Sequence, residues 1–155
     1  MQDLGIAVES WSTEYQTLAA ARGIQVQCEH LTALGPVVFH ASTLRRAVLN
    51  LVHNALDAMA PGGTVTLTGQ STADQVQLQV RDTGSGIPEE RLAQIFEPLH
   101  TTKPGGTGLG LYIVQEIMAA HGGQVTVQSV VGQGTTFTLT LPREARPFQH
   151  RSDIC

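Results

Sequence analysis

Cysteine and long apolar runs are both scarce in this chain. Only two cysteines are present, Cys28 and Cys155, too few for the disulfide framework of a small secreted domain. No stretch of about 18 apolar residues occurs, and the chain does not open with a basic segment followed by an apolar one. These absences argue against a membrane-spanning helix and a signal peptide. The sequence therefore predicts a cytoplasmic domain, either by itself or as part of a membrane-anchored parent.

Basic residues are scarce as well. Nine Lys and Arg stand against thirteen Asp and Glu, which gives a formal net charge of −4. Nucleic acids and anionic membranes attract basic surfaces, so neither is an expected partner. The length of 155 residues suits one domain with a single core. We assign residues 1–143 to this domain and the polar, aperiodic residues 144–155 to a flexible C-terminal tail.

Glycine, in contrast, is abundant between Asp82 and Leu111, where two glycine clusters flank a short amphipathic segment. The second cluster leads into a segment with helical spacing, and the start of a helix favours phosphate through its N–H groups and dipole. Either cluster alone is also compatible with a flexible loop. A P-loop needs a Gly-Lys pair, which is absent, and a dinucleotide or protein-kinase glycine loop needs glycine where Leu111 stands. The pattern indicates a phosphate site of another kind.

Three polar residues share one face of the predicted central helix. This helix opens at Ser42 or Thr43, and within it Asn50, Asn54 and Asp57 have the spacing i, i+4, i+7. Such spacing is also typical of a solvated face. Asparagine, however, is a weaker helix former than Lys or Glu, which favours a functional interpretation.

The remaining pattern predicts alternating strands and helices. Residues 4–8 are expected to form a strand or extended lead-in, and Ser10 or Ser12 is expected to cap a helix that ends before Gly23. Cys28 lies in an alternating segment and is predicted to be buried. Residues 99–105 lack periodicity and are interpreted as a mobile lid. Strands are predicted at 24–28, 36–40, 64–69, 76–81, 124–129 and 135–141, and a short helix at 89–95.

Four segments, in their order and spacing, resemble the motifs of the GHKL ATPases, a family that includes sensor histidine kinases. Residues 50–59, Asn-Leu-Val-His-Asn-Ala-Leu-Asp-Ala-Met, resemble the N box, and residues 82–88, Asp-Thr-Gly-Ser-Gly-Ile-Pro, resemble the G1 box. Phe-Glu-Pro at 96–98 resembles the F box, and Gly-Thr-Gly-Leu-Gly-Leu at 106–111 resembles the G2 box. The similarity covers roughly residues 4–143. It is closest to the histidine-kinase branch, because the F box and the Thr-Thr-Lys lid are features of that branch.

The resemblance supports an α+β fold. We expect a two-layer α/β sandwich of the Bergerat ATP-binding type, with a mixed, mostly antiparallel sheet of about five strands and three main helices on one face. The expected cofactors are ATP and Mg²⁺.

The resemblance also implies roles for individual residues. Asp82 would accept a hydrogen bond from the adenine amino group, although an aspartate before glycine is also typical of a turn. Ile87 would pack on the adenine ring, and Asn54 would bind Mg²⁺. Asp57 departs from the lysine often found at its position in the family but matches the Asn-Ala-x-Asp-Ala variant of one histidine-kinase subgroup. The implied ATP-binding residues are Asn50, Asn54, Asp57, Ala58, Asp82, Gly84, Gly86, Ile87, Phe96, Thr102, Lys103, Gly106, Thr107, Gly108, Leu109, Gly110, Leu111 and Thr135.

None of the six histidines fits the phosphoacceptor motif of the family, and His100, at the border of the lid segment, is the one that merits attention. The resemblance therefore implies a catalytic domain that phosphorylates a histidine on a separate dimerisation domain, with a response regulator downstream. One alternative is a stand-alone anti-sigma-type serine kinase or an ATPase. The ATPases carry a glutamate on the N-box helix, but residues 44–49 contain no acid. Another alternative is a degenerate module that binds a partner or nucleotide without catalysis.

Overall fold

The structure is a computed structural model that describes residues 2–98 and 109–143. The predicted lid and the predicted tail lie outside these residues. Among the described residues, no helix is both long and apolar enough to cross a membrane. The elements, in chain order, are β1 (Gln2–Asp3), α1 (Leu4–Ala20), β2 (Gln25–Glu29), a 3-10 turn (Leu31–Ala33), β3 (Pro36–Val37), α2 (Ala41–Asp57), β4 (Thr64–Ser71), β5 (Gln75–Asp82), α3 (Glu89–Leu92), α4 (Gly110–Ala120), β6 (Gln124–Val130) and β7 (Gly134–Pro142).

Five strands form the main sheet in the order β2-β4-β5-β7-β6. The β2–β4 pair is parallel, and the other three pairs are antiparallel. β1 and β3 form a separate two-stranded sheet. Helices pack on one face of the main sheet, which confirms the predicted α+β sandwich.

The sheet is one-sided because its strands alternate apolar and polar residues. In β5, Val76, Leu78 and Val80 are buried beneath the helices, while Gln77 and Gln79 lie on the opposite face. The same alternation occurs in β4 and β7, where threonine takes the outward positions. Period-2 alternation is the pattern that buries one face of a sheet and leaves the other to solvent.

The prediction of a strand at residues 4–8 is wrong, because these residues form the first turns of α1. The Asp3 side chain caps the helix, and its Oδ1 accepts the Ile6 N–H at 3.0 Å. Leu4 and Val8, one turn apart, are both buried in the core. Ser10 and Ser12 do not cap the helix. They lie inside it, and each hydroxyl donates to a carbonyl of the preceding turn.

The central helix α2 begins at Ala41, slightly earlier than predicted, and His40 is its N-cap residue. Its apolar face is buried in the core, as shown by Leu44, Val48 and Leu51. The prediction that Cys28 is buried is wrong, because the residue is exposed. β2 is an edge strand of the sheet, and of its five residues only Val26 is partly buried.

A buried histidine joins the two helices that carry the N and G2 motifs. His121 follows α4, and its Nε2 accepts the backbone N–H of His40 at 3.0 Å, at the start of α2. Its Nδ1 lies 2.9 Å from the carbonyl oxygen of Ile117, so Nδ1 carries the proton and donates. Burial lowers the pKa of His121, and the nearby His40 ring lowers it further, although the Ile117 carbonyl opposes this. The ring is therefore held neutral in the folded domain.

We expect the folded domain to lose stability on acidification because of His121. The unfolded chain protonates this side chain near pH 6.5, whereas the folded state resists protonation. Stability is therefore fully present above pH 6.5 and falls below it by up to about 1.4 kcal/mol per pH unit, until the lowered pKa is reached. Urea unfolding of the unmodified domain and of His121→Gln, at pH 7.5 and 5.5, measures the effect.

The His121→Gln variant should be less stable at pH 7.5 but should lose less on acidification than the unmodified domain. His53→Gln is the matched control, because it removes an exposed imidazole from α2. Equal losses in the unmodified domain and His121→Gln would contradict the assigned role of the buried ring.

Candidate nucleotide-binding site

A buried carboxylate stands at the end of β5. Asp82 is only 3% exposed, and its Oδ1 accepts backbone N–H bonds from Gly84 at 2.8 Å and from Thr135 at 3.2 Å. Burial raises the pKa of Asp82, and the two N–H donors oppose the rise. Among the described residues, no hydrogen bond reaches Oδ2. One oxygen is thus fixed by the protein, and the other remains available to a donor on a ligand.

The loop that follows Asp82 fits between two other parts of the chain. The N–H of Ser85 donates to the carbonyl oxygen of Ala58, the C-cap residue that follows α2, at 3.2 Å. A Cβ on Gly84 would lie 2.5 Å from that same oxygen. Gly86 has φ +76°, and a Cβ there would lie 2.3 Å from the carbonyl oxygen of Val130. Glycine is required at both positions because the neighbouring backbone occupies the space of a side chain.

The β6–β7 turn contacts the other side of the loop that follows Asp82. The N–H of Gly132 donates to the Ser85 carbonyl at 2.8 Å, and the N–H of Ile87 donates to Ser129 Oγ at 2.7 Å. Ser129 Oγ is also 2.8 Å from Thr135 Oγ1. Asp82 and Thr135, both predicted site residues, are in direct contact, because the Thr135 N–H donates to Asp82 Oδ1. Ser129 was not predicted, and its contacts become visible only from the register of the hairpin.

The N-box residues take two kinds of contact. Asn50 Nδ2 donates to the carbonyl oxygen of Gly110 at 3.3 Å and so joins α2 to the first residue of α4. Asn54 is half-buried on the same helix. Asp57, at the end of α2, forms an exposed ion pair with Arg22 at 2.9 Å. Asp57 thus has a partner within the protein, and its contact with a nucleotide stays a prediction.

The F box is anchored to the core. The ring of Phe96 packs edge-to-face on Phe137 of β7, with centroids 6.3 Å apart and planes at 86°. Leu111 packs against the same core, and Leu109 precedes α4 as its N-cap residue. Five predicted site residues lie outside the described part of the chain: Thr102, Lys103, Gly106, Thr107 and Gly108.

The side chains near the site would suit a magnesium ion that is held mainly by phosphates. Residues 2–98 and 109–143 contain no cluster of three His, Cys, Asp or Glu side chains that could hold a metal ion. Mg²⁺ prefers oxygen ligands and retains waters, so one amide oxygen together with phosphate oxygens is sufficient. Asn54 offers such an oxygen on the helix beside the site.

Comparisons with known proteins show the family of the chain. Residues 40–145 match the family described as histidine kinase-, DNA gyrase B- and HSP90-like ATPases. The chain belongs to this family. The matched segment contains every residue of the candidate site.

Its relatives place it among the histidine kinases of that family. The chain is 40% identical, over 83% of its length, to the sensor histidine kinase ZraS of Salmonella typhi, and 33% identical, over 84%, to sporulation kinase E of Bacillus subtilis. It spans only 28% and 18% of those two proteins. The solved catalytic domain of histidine kinase ThkA superimposes with a TM-score of 0.83 at 27% identity, covering 92% of this chain and 93% of that one. The chain is an ATP-binding domain of the sensor histidine kinase type.

Two glycines of the β6–β7 turn offer a test of the close packing at Asp82. A Cβ on Gly134 (φ +122°) would lie 2.1 Å from the Asp82 carbonyl oxygen, whereas a Cβ on Gly132 (φ +84°) would meet no atom of residues 2–98 and 109–143 within 4 Å. Gly132→Ala should therefore cost only the backbone strain of about 1–2 kcal/mol. Gly134→Ala should cost clearly more, because the strands must also separate, and it should weaken nucleotide binding. Urea unfolding compares the two variants, and equal losses of stability would contradict the packing argument.

Proposed function

We propose that this domain binds Mg²⁺-ATP and donates the γ-phosphate to a histidine on a dimerisation domain outside the chain. The observation that carries the proposal is the Asp82 carboxylate, which is buried, fixed through Oδ1 and still able to accept a hydrogen bond through Oδ2. A carboxylate so arranged suits the 6-amino group of adenine, which is a hydrogen-bond donor.

The other elements would each meet one part of the nucleotide. Ile87, on the loop held by the β6–β7 turn, is half-buried against the core and would pack on the adenine ring. Asn54 would hold the Mg²⁺, which compensates phosphate charge when it is bound. The start of α4 at Gly110 would offer backbone N–H groups to phosphate, since among the described residues no atom lies within 4 Å of a Cβ placed there.

The relatives support phosphoryl transfer to histidine over ATP hydrolysis. ZraS and ThkA are histidine kinases by name, and full-length ShkA, of which this chain covers 31%, was solved in complex with AMPPNP, an ATP analogue. The only acid among residues 40–57 of the chain is Asp57, which pairs with Arg22 at the end of α2. A hydrolytic glutamate before the N-box asparagines is therefore missing. Phosphoryl transfer depends mainly on positioning and electrostatics, which a domain without its own acceptor can supply.

We expect the purified domain to bind ADP and ATP, and Asp82→Asn to lose at least tenfold in affinity. Asparagine turns a charged acceptor into a neutral amide, and a hydrogen bond to a charged group is worth about 1.5–3 kcal/mol. Asn54→Ala should lose the Mg²⁺-dependent part of the affinity only. Calorimetric titration with and without Mg²⁺ measures both effects.

Asp74→Asn is the matched control for this titration. Asp74 is exposed and precedes β5 at the end opposite Asp82, so its substitution should leave the affinity unchanged. The absence of nucleotide binding by the unmodified domain would overturn the proposal and favour a partner-binding module.

A second measurement separates the kinase from an ATPase. The domain should transfer labelled phosphate from ATP to a histidine of an added dimerisation domain from a close relative, while hydrolysing little ATP by itself. The product should be acid-labile, as phosphohistidine is. Rapid steady-state hydrolysis without a phosphorylated histidine would instead support the ATPase alternative.

A further inference from the structure

Three polar side chains form one row across the end of the main sheet. Ser129 of β6 pairs with Thr135 of β7 in the strand register. Arg81 pairs with Thr136, so Asp82 lies opposite Thr135 on the next strand. Residues in one cross-strand row point to the same face of a sheet, here the face that carries the helices. Ser129, which lies outside the four motif segments, is thus in the same row as the Asp82 carboxylate.

The hydroxyl of Ser129 is fully used by the protein. It accepts the backbone N–H of Ile87 at 2.7 Å and lies 3.0 Å from the Gly134 carbonyl oxygen, to which it donates. Because its only proton goes to that carbonyl, the 2.8 Å contact with Thr135 makes the Thr135 hydroxyl the donor. The one donor and both acceptor positions of the Ser129 hydroxyl are therefore bonded to residues that surround the candidate adenine pocket.

These bonds close a ring that includes the adenine acceptor. The Thr135 N–H donates to Asp82 Oδ1. Ser129 in turn bonds to the carbonyl oxygen of Gly134 and to the hydroxyl of Thr135. From Asp82, the chain runs through Gly84, which donates to the same oxygen, to Ile87, which donates to Ser129. The direction of the Asp82 carboxylate thus depends on a hydroxyl that does not touch it.

We propose that Ser129 is a positioning residue that sets the preference of this site for a 6-aminopurine. The inference rests on the proposed function, because it assumes that Asp82 receives the adenine amino group. With Oδ1 fixed by two N–H donors, Oδ2 has one direction and accepts a donor at position 6 of the purine. Guanine presents an acceptor oxygen at that position and would oppose the carboxylate. Loss of the Ser129 hydroxyl releases Thr135 and the Ile87 loop, so the carboxylate can turn and the preference declines.

The test compares ADP with purine riboside diphosphate, which lacks the 6-amino group. The quantity measured is the ratio of the two dissociation constants, obtained by calorimetry for the unmodified domain and for Ser129→Ala. We expect ADP to bind at least tenfold more tightly than the analogue in the unmodified domain. In Ser129→Ala this ratio should fall at least fivefold, because the affinity for ADP is lost more than the affinity for the analogue.

Further variants keep the test decisive if Ser129→Ala is unstable. Ser129→Thr retains the hydroxyl and should restore the ratio, whereas Ser129→Cys has nearly the same shape but a weak acceptor and should lower it. Ser71→Ala is the matched control, because it removes an exposed serine hydroxyl from the last residue of β4, at the end of the sheet away from Asp82. This control should leave the ratio unchanged.

The outcomes that would contradict the inference can be told apart. If both nucleotides weaken equally in Ser129→Ala and Ser129→Cys, or if neither changes, Ser129 has no part in selectivity and the inference is overturned while the proposed function stands. If the unmodified domain binds neither nucleotide, the proposed function and this inference fail together.

Discussion

The arrangement of this domain depends on one demand, which is to hold a buried carboxylate in a fixed direction. A buried charge is costly unless hydrogen bonds compensate it, and Asp82 obtains its compensation from backbone N–H groups 2 and 53 residues away. Those donors reach it only because three backbone segments approach more closely than side chains allow. Cβ atoms at Gly84, Gly86 and Gly134 would each lie within about 2.5 Å of a carbonyl oxygen. The glycines are needed here for close approach, and flexibility is a secondary property.

The two helices beside the site are held together at two separate places. His121 at the end of α4 accepts the N–H of His40 at the start of α2, while Asn50 in the middle of α2 donates to Gly110 at the start of α4. The helices therefore run antiparallel, and the N box and the start of α4 are fixed relative to each other. Asn50 thus joins α2 to α4 and is at the same time a residue of the candidate site. The neutral His121 ring makes the helix pair sensitive to acid, because its acceptor nitrogen is lost on protonation.

The sequence predicted the layer architecture because alternation and helical spacing are local signals that survive tertiary packing. Its failures have different physical reasons. The apolar run from Leu4 is too short to distinguish a strand from a helix, and the Asp3 cap decided the outcome. The alternation around Cys28 could not show that β2 lies at the edge of the sheet. Asp82 was predictable from its glycines, whereas Ser129 required the hairpin register, which no motif encodes.

The described part of the site separates two kinds of specificity, which are recognition of the base and choice of the phosphoacceptor. Recognition of the base would rest on a ring of hydrogen bonds that is complete within the chain before any ligand binds, so little ordering would be needed there. The choice of phosphoacceptor, in contrast, has no counterpart among the described residues, since no histidine of the chain fits the acceptor motif. On the proposed function, a domain so built can keep its preference for adenine while it is joined to different dimerisation domains.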